Sequence, residues 1–214
     1  MDVVTKQTQL VTRQKLMRSF WERQKLSDEF AFIHINKCGG SAIERALGLP
    51  CFHDTASDRQ RVLGLDRWMS IYTFSVVRHP YAKVVSHFYY RRETNQTGLK
   101  RSGIDLNTWV RLAYGDRNEY YYDKPLMFSQ CFDWLTDAEG SVLVDQVVRL
   151  EDLDQEWPAL SIRIGKPGVV LERGVKKTFG FTAKRAAAEL DAVSKEIIRD
   201  RFRDDFRVFY KDAE

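Results

Sequence analysis

The sequence predicts an α/β protein with a central, mostly parallel sheet flanked by helices. Two short apolar runs rich in β-branched and aromatic residues, at positions 30–35 and 71–77, predict strands. Each run is followed by a short polar loop and then by apolar residues at helical spacing. Because strands that alternate with helices favour a parallel sheet, we expect a ligand site beyond the carboxyl ends of these strands.

The length and composition describe one ordinary globular domain. The chain has 214 residues, of which 43% are apolar and 30% charged, so a single domain over residues 29–214 can bury a substantial core. Residues 1–28 predict a polar, helical N-terminal extension that packs on the domain or on a second subunit. The net charge of 34 − 30 = +4 suits an anionic ligand. It is too diffuse for the basic face that binds nucleic acid.

The cysteines and the apolar runs bear on the compartment. Cys38, Cys51 and Cys131 show no C-x-x-C spacing, which argues against a disulfide framework or a zinc site and favours a reducing compartment. No run approaches the ~20 apolar residues of a membrane span, and the N-terminus has no apolar signal core. We therefore expect a cytoplasmic protein without stable membrane insertion.

Residues 36–41 predict a small polar loop between the first strand and a helix over 42–49. Gly39 and Gly40 allow a tight turn, and the start of the helix presents unpaired N–H groups and a positive dipole end. The stretch is either a structural turn or an anion site, with phosphate as the expected ligand. Lys37 precedes the glycines, whereas triphosphatases have the order G-x-x-x-x-G-K-[ST], so ATP or GTP hydrolysis is disfavoured. Cys38 is either an activated thiol or a small loop residue.

A second crossing from strand to helix brings polar groups to the same edge. Arg78 follows the second strand, Pro80 suits the first position of a helix, and Ser86 lies within that helix. His53 precedes a helix that ends near position 65 and is capped by Asp54 or Thr55. This histidine is either a general base, because imidazole takes a proton near neutral pH, or a structural group.

The remaining segments complete the predicted fold. They predict a mobile loop over residues 93–103 that is either a lid or a plain connection, helices over 104–114, 125–134 and 153–164, short strands within 141–150, and one long helix after Thr182.

Two of these stretches together resemble the motifs of a known family. Residues 35–41, I-N-K-C-G-G-S, resemble the 5′-phosphosulfate loop of sulfotransferases that use 3′-phosphoadenosine 5′-phosphosulfate (PAPS). Residues 74–86, F-S-V-V-R-H-P-Y-A-K-V-V-S, resemble their 3′-phosphate element. The similarity is to bacterial members of the carbohydrate-type branch (family 2-like), and it covers roughly residues 30–165. Asn36 and Lys83 stand where proline and arginine are common in the family, and residues 167–177 match no motif.

The resemblance implies a single P-loop-like domain, here a sulfotransferase domain over residues 29–214, that transfers a sulfuryl group from PAPS to a hydroxyl or amine. The product is adenosine 3′,5′-bisphosphate, and no metal is implied. The acceptor is expected to be a saccharide or another small hydroxylated molecule, with a homodimer possible and no nucleic acid. The implied catalytic residues are Lys37 and, as the base, His53. The alternative is that His53 orients the loop and that Asp54, Glu93 or no residue serves as the base. The implied nucleotide-binding residues are Asn36, Lys37, Cys38, Gly39, Gly40, Ser41, Ala42, Arg78 and Ser86. The alternatives are a P-loop small-molecule kinase and an inactive nucleotide-binding or scaffold protein of the same fold.

Overall fold

A computed structural model of the protein describes residues 29–172 and 182–211. The helical extension predicted over residues 1–28 lies outside the described residues. Within them, three parallel strands form one sheet: β1 (Phe30–Ile33), β2 (Tyr72–Val77) and β3 (Gln146–Arg149), with β2 in the centre. β1 pairs with β2 from Phe30↔Tyr72 to Ile33↔Ser75, and β2 pairs with β3 from Phe74↔Gln146 to Val77↔Arg149. All three strands therefore end at the same edge, and the predicted parallel α/β architecture is confirmed.

Helices follow or separate the strands throughout. They are α1 (Gly40–Leu47), α2 (Ala56–Leu63), α3 (Leu65–Ser70), α4 (Pro80–Glu93), α5 (Leu99–Ser102), α6 (Leu106–Val110), α7 (Pro125–Phe128), α8 (Cys131–Leu135), α9 (Leu153–Arg163), α10 (Ala183–Glu189), α11 (Ala192–Arg201) and α12 (Arg203–Phe209). A 3₁₀ turn, Gln96–Gly98, precedes α5, and a π turn, Arg111–Gly115, follows α6. None of the helices in the described part of the chain is long and apolar enough to cross a membrane.

The sheet is covered by packed side chains on both faces. Along β1, Phe30 and Phe32 belong to one buried cluster, whereas Ala31 and Ile33 belong to the other. The first cluster includes residues of α1 and α9, and the second includes residues of α4, α6 and the C-terminal helices. This alternation follows from the period of two in a strand, and it explains why the strands read as continuous apolar runs.

Several predicted helix boundaries are confirmed. Pro80 is the first residue of α4, where its missing N–H is not needed. Thr55, one of the two candidate caps, accepts a hydrogen bond from the Asp58 backbone N–H and so starts α2. Thr182 caps α10 in the same way through the Arg185 N–H.

Three predicted segments differ from the structure. Residues 93–103 are not an irregular loop, because Leu99 is fully buried and the segment folds into the 3₁₀ turn and α5. The helix predicted over residues 125–134 is interrupted between α7 and α8. The long helix predicted after Thr182 breaks at Leu190, whose backbone is extended. There the Asn107 side chain donates to the Glu189 carbonyl oxygen at 3.2 Å and accepts from the Asp191 N–H at 3.0 Å.

Candidate functional site

The loop after β1 is compact because both of its glycines are closely covered. A Cβ atom added to Gly40 would lie 2.1 Å from Cδ2 of the His34 ring, and one added to Gly39 would lie 2.6 Å from Cδ1 of Leu150. Gly39 also has a φ of +83°, which disfavours a side chain at this position. Lys37 adopts the left-handed conformation without being glycine, with a φ of 65°. The two glycines are therefore needed for the shape of this loop.

The loop and the first turn of α1 present consecutive backbone N–H groups. The Cys38 N–H donates to the Ile35 carbonyl oxygen at 3.4 Å, and the Ala42 N–H donates to the Gly39 carbonyl oxygen at 3.0 Å. Those two amides hold the turn together. The N–H groups of Gly39, Gly40 and Ser41 make no hydrogen bond within the described part of the chain. Consecutive donors of this kind at the start of a helix form a site for an anion.

Lys37 connects the loop to the next strand and to α4. Its carbonyl oxygen accepts a hydrogen bond from Nη1 of Arg78 at 3.2 Å. Its ammonium nitrogen lies 4.0 Å from the ring centroid of Tyr90, which is a cation–π contact. The two predicted anion-binding elements are therefore in direct contact at the carboxyl edge of the sheet.

Arg78 is a buried cation directly after β2. Only 7% of its surface is exposed, and burial lowers the pKa of its guanidinium, partly offset by Cys38, Glu151 and Tyr210. Arginine nevertheless remains cationic, and it has five N–H donors in a planar fork. Its bond to the Lys37 carbonyl oxygen uses one of them. The positive charge of Arg78 is thus fixed beside the loop.

The end of β3 supplies a third contact at this edge. The Glu151 carboxylate accepts from the His79 backbone N–H at 3.1 Å and from the Tyr210 hydroxyl at 2.8 Å. His79 is packed among the rings of Tyr81, Phe206 and Tyr210. Burial lowers the pKa of His79, with a partial offset from Glu151, so its ring is neutral near pH 7. These contacts are those of a buried structural residue.

A cluster of buried polar side chains lies beneath the loop and anchors it. Sγ of Cys38 is 3.8 Å from Sγ of Cys131, and both side chains are buried. Lys83 is 1% exposed and donates from Nζ to the Ser129 carbonyl oxygen at 2.7 Å. Asp205 accepts from the Cys131 N–H at 2.8 Å, and burial raises the pKa of its carboxyl to about 6, against an opposing effect from Lys83. Because Lys83 is buried and bound to the Ser129 carbonyl oxygen, its side chain points into the core.

Asn36 is hydrogen-bonded at the loop, whereas Ser86 is buried nearby without a hydrogen bond to Arg78. Asn36 donates from its amide nitrogen to the Met127 carbonyl oxygen at 2.9 Å, which restrains the loop. Its amide oxygen is buried and has no hydrogen-bond partner among the residues that the structure describes. Ser86 is buried in α4, two turns after Arg78. No hydrogen bond links it to Arg78 among the residues that the structure describes.

His53 lies against the end of β1. Its Nδ1 is 3.0 Å from the His34 carbonyl oxygen, so Nδ1 carries the proton in the neutral ring and Nε2 carries the lone pair. Asp54, an alternative base, is engaged by the buried Arg59, whose Nε and Nη2 donate to it at 2.5 and 2.7 Å. Glu93 is an exposed residue at the end of α4. Of the three candidate bases, His53 fits the role best, because its Nε2 carries a lone pair whereas the Asp54 carboxylate is held by Arg59 and Glu93 lies at the far end of α4.

His34 joins His53 to a further polar group. Nδ1 of His34 lies 2.6 Å from Oε1 of Glu44 and 3.9 Å from Sγ of Cys51. The rings of His34 and His53 have centroids 4.4 Å apart.

Sequence reasoning missed Glu44, Tyr90, Met127 and Glu151 as neighbours of the site. Only Glu151 had a usable signal, because it follows a predicted strand of the same sheet.

Comparison of the chain with models of known protein families, with curated proteins and with solved structures found no match.

Proposed function

We propose that the protein is a PAPS-dependent sulfotransferase with a P-loop-like nucleotide site, and that it transfers a sulfuryl group to a hydroxyl or amine of a saccharide or similar acceptor. The observation that carries this proposal is the 3.2 Å hydrogen bond from Arg78 to the Lys37 carbonyl oxygen. It joins the two elements whose sequences resemble the 5′-phosphosulfate loop and the 3′-phosphate element. A nucleotide with phosphate groups at both the 3′ and 5′ positions requires two such anion sites side by side.

In this proposal the loop holds the 5′ end of PAPS. The N–H groups of Gly39, Gly40 and Ser41 donate to the 5′-phosphosulfate. Cys38 and Ala42 shape the turn through their own backbone bonds, and Asn36 holds it against Met127. Lys37 moves from Tyr90 toward the oxygen that bridges phosphorus and sulfur, where negative charge develops. Removal of a fixed donor to such a charge costs ~2.7–4 kcal/mol in other enzymes.

Arg78 and Ser86 hold the 3′-phosphate, the group that distinguishes PAPS from ATP. A guanidinium binds a phosphate through two parallel N–H donors, which a lysine ammonium does not. The burial of Arg78 favours this role, because a buried cation gains more from an anionic ligand than an exposed one does.

His53 is the base in the transfer step. The acceptor oxygen forms a bond to sulfur, and its proton passes to Nε2 of His53. The bond between sulfur and the bridging oxygen breaks, and the electron pair leaves with adenosine 3′,5′-bisphosphate. Attacking atom, sulfur and leaving oxygen are in line, as in phosphoryl transfer. The His34 carbonyl oxygen fixes the ring and its tautomer, so the lone pair needed for proton abstraction is on Nε2.

The experiment is transfer of ³⁵S-labelled sulfate from PAPS to a panel of oligosaccharides, lipids and small hydroxylated metabolites. We expect labelled product with at least one saccharide, and formation of adenosine 3′,5′-bisphosphate in equal amount. The same panel with γ-labelled ATP is the control for a kinase. Transfer from ATP without transfer from PAPS would contradict the proposal.

A further inference from the structure

The segment between α1 and α2 brings three metal-binding side chains together against the end of β1. His34 directly follows β1, and Cys51 and His53 precede α2. Each residue offers a ligand atom, and these atoms all lie within 4.8 Å of one another. Sγ of Cys51 is 3.9 Å from Nδ1 of His34. We propose that these three residues bind a divalent transition-metal ion, with Zn²⁺ as the best match.

The type and spacing of the ligands favour zinc. Imidazole nitrogen and thiolate sulfur are the usual zinc ligands, whereas Mg²⁺ and Ca²⁺ prefer oxygen. With Zn–N bonds of ~2.0–2.1 Å and Zn–S bonds of ~2.3 Å, two nitrogens and one sulfur in a tetrahedral site lie about 3.3–3.6 Å apart. The pair at 3.9 Å is already close to this range. The ligand atoms lie no more than 4.8 Å apart, so an inward movement of at most about 1 Å completes the site.

His53 has the surroundings expected of a histidine that binds a metal. A histidine that binds a metal through one ring nitrogen generally donates the N–H of the other to a carboxylate or a backbone carbonyl. His53 meets this condition, because its Nδ1 lies 3.0 Å from the His34 carbonyl oxygen and Nε2 carries the lone pair. A hydrogen-bond acceptor for the second ring nitrogen orients the ring and raises its basicity as a ligand.

Glu44 balances the charge of the bound ion. Its carboxylate lies 2.6 Å from Nδ1 of His34 and is buried, as is the His34 ring. Binding of Zn²⁺ at Nδ1 releases the proton that these two groups share, and binding at Cys51 releases the thiol proton. The ion, one thiolate and one carboxylate then sum to zero charge, with Glu44 beside the three ligands as the neighbouring negative charge.

Occupancy of this site has a consequence for the proposed reaction. A metal ion on Nε2 of His53 takes the lone pair that the base needs, so Zn²⁺ should inhibit sulfuryl transfer and a chelator should reverse the inhibition. This consequence alone rests on the proposed function. The metal site itself depends only on the geometry of His34, Cys51 and His53.

The test is titration of the full-length protein with Co²⁺, a coloured substitute for Zn²⁺, followed by absorption spectroscopy. We expect one Co²⁺ per chain, with a thiolate-to-metal charge-transfer band and the d–d bands of a four-coordinate ion, displaced by one equivalent of Zn²⁺. Cys51→Ser should abolish the charge-transfer band, and His53→Gln and Glu44→Gln should each weaken Co²⁺ binding at least ~10-fold.

Cys51→Ser tests the thiolate ligand specifically, because Cys51 is exposed and the variant keeps the other two thiols, Cys38 and Cys131. A charge-transfer band that persists in Cys51→Ser would place the thiolate ligand elsewhere and overturn the proposal. So would the absence of any Co²⁺ or Zn²⁺ binding by the wild-type protein in calorimetry. Neither readout depends on sulfate transfer, so a failure here is distinct from a failure of the proposed function.

Discussion

Lys37 combines a left-handed backbone with a side chain that rests on an aromatic ring. Its φ of 65° costs a non-glycine residue on the order of 1–2 kcal/mol. That conformation directs its carbonyl oxygen toward Arg78 and its ammonium toward Tyr90. Strained residues of this kind persist where the surrounding structure fixes them, often at functional sites.

For Lys37→Ala we predict a kcat for sulfuryl transfer that is lower by on the order of 10²–10³-fold, because the lysine acts mainly on charge that develops in the transition state. The Kd for PAPS should change by less than about 10-fold. Steady-state kinetics with saturating acceptor and calorimetry measure the two quantities. Lys166→Ala, an exposed lysine after α9, is the matched control. An unchanged kcat would exclude this role for Lys37.

For Arg78→Ala we predict binding of adenosine 3′,5′-bisphosphate that is weaker by roughly 10- to 100-fold, because a hydrogen-bonded charge is worth ~1.5–3 kcal/mol. Binding of adenosine 5′-phosphosulfate, which has no 3′-phosphate, should be nearly unchanged. Calorimetry with both nucleotides tests this, and Arg203→Ala on α12 is the control for loss of an exposed arginine. An equal loss for both nucleotides would argue against contact with the 3′-phosphate.

For His53→Ala we predict normal nucleotide affinity and a transfer rate lower by about 10²–10⁴-fold, the usual contribution of a general base. The substitution removes the Nε2 lone pair while leaving the loop and Arg78 in place. A calorimetric titration and a single-turnover assay measure the two effects separately. A normal rate would return His53 to a structural role against His34.

At the scale of elements, local signals predicted most of the strands and helices. The continuous apolar runs and the positions of Pro80 and Thr55 are local features of the sequence, so β1, β2, α2 and α4 could be predicted. The break at Leu190 could not, because the Asn107 side chain that stabilises it comes from a position 82 residues from Glu189. Helical spacing on both sides of Leu190 therefore read as one continuous helix.

Part of the candidate site could be predicted, because it follows from the two strands that local signals reveal. Parallel pairing sends Lys37 and Arg78 to one edge once β1 and β2 are recognised. The contacts that secure this edge are remote in sequence: Asn36 to Met127 spans 91 residues, and the His79 N–H to Glu151 spans 72. No local pattern signals the contact of Asn36 with Met127, and the only signal for Glu151 is its position after a predicted strand of the same sheet.

For Gly40→Ala we predict a free energy of unfolding that is lower by about 1–3 kcal/mol, the usual cost of overpacking. The added Cβ would lie 2.1 Å from the His34 ring, which is held by Glu44 and has little room to move. Urea unfolding measures the effect. Ser41→Ala, at the exposed neighbouring position of α1, should stay within about 0.5 kcal/mol of wild type. Equal stability of both variants would mean that Gly40 is not required by packing.

At the scale of the whole molecule, the C-terminal helices support the site from below. Asp205 on α12 accepts from the Cys131 and Phe132 N–H groups at 2.8 and 2.7 Å, and Cys131 in turn contacts Cys38 of the loop. Burial raises the pKa of Asp205 to about 6, against an ordinary value of 3.8. The folded protein therefore keeps a proton on Asp205 at pH values where the unfolded chain has lost it.

For Asp205 we predict a stabilising contribution that is complete below pH 3.8 and is lost as the pH rises through about 6. The difference of 6 − 3.8 = 2.2 pKa units corresponds to about 3 kcal/mol. Urea unfolding at pH 4 to 7 should show that Asp205→Asn lacks this decline, whereas Asp200→Asn, an exposed carboxylate on α11, keeps it. Identical pH profiles for wild type and Asp205→Asn would contradict a raised pKa.

The joint nucleotide site at Lys37 and Arg78 is tested most directly by calorimetric titration of the wild-type protein with adenosine 3′,5′-bisphosphate and, separately, with ADP. Both ligands carry a 5′-phosphate, and only the first carries the 3′-phosphate assigned to Arg78. We predict saturable binding of one adenosine 3′,5′-bisphosphate per chain, at least about 10-fold tighter than binding of ADP. Equal affinities, or tighter binding of ADP, would contradict the account.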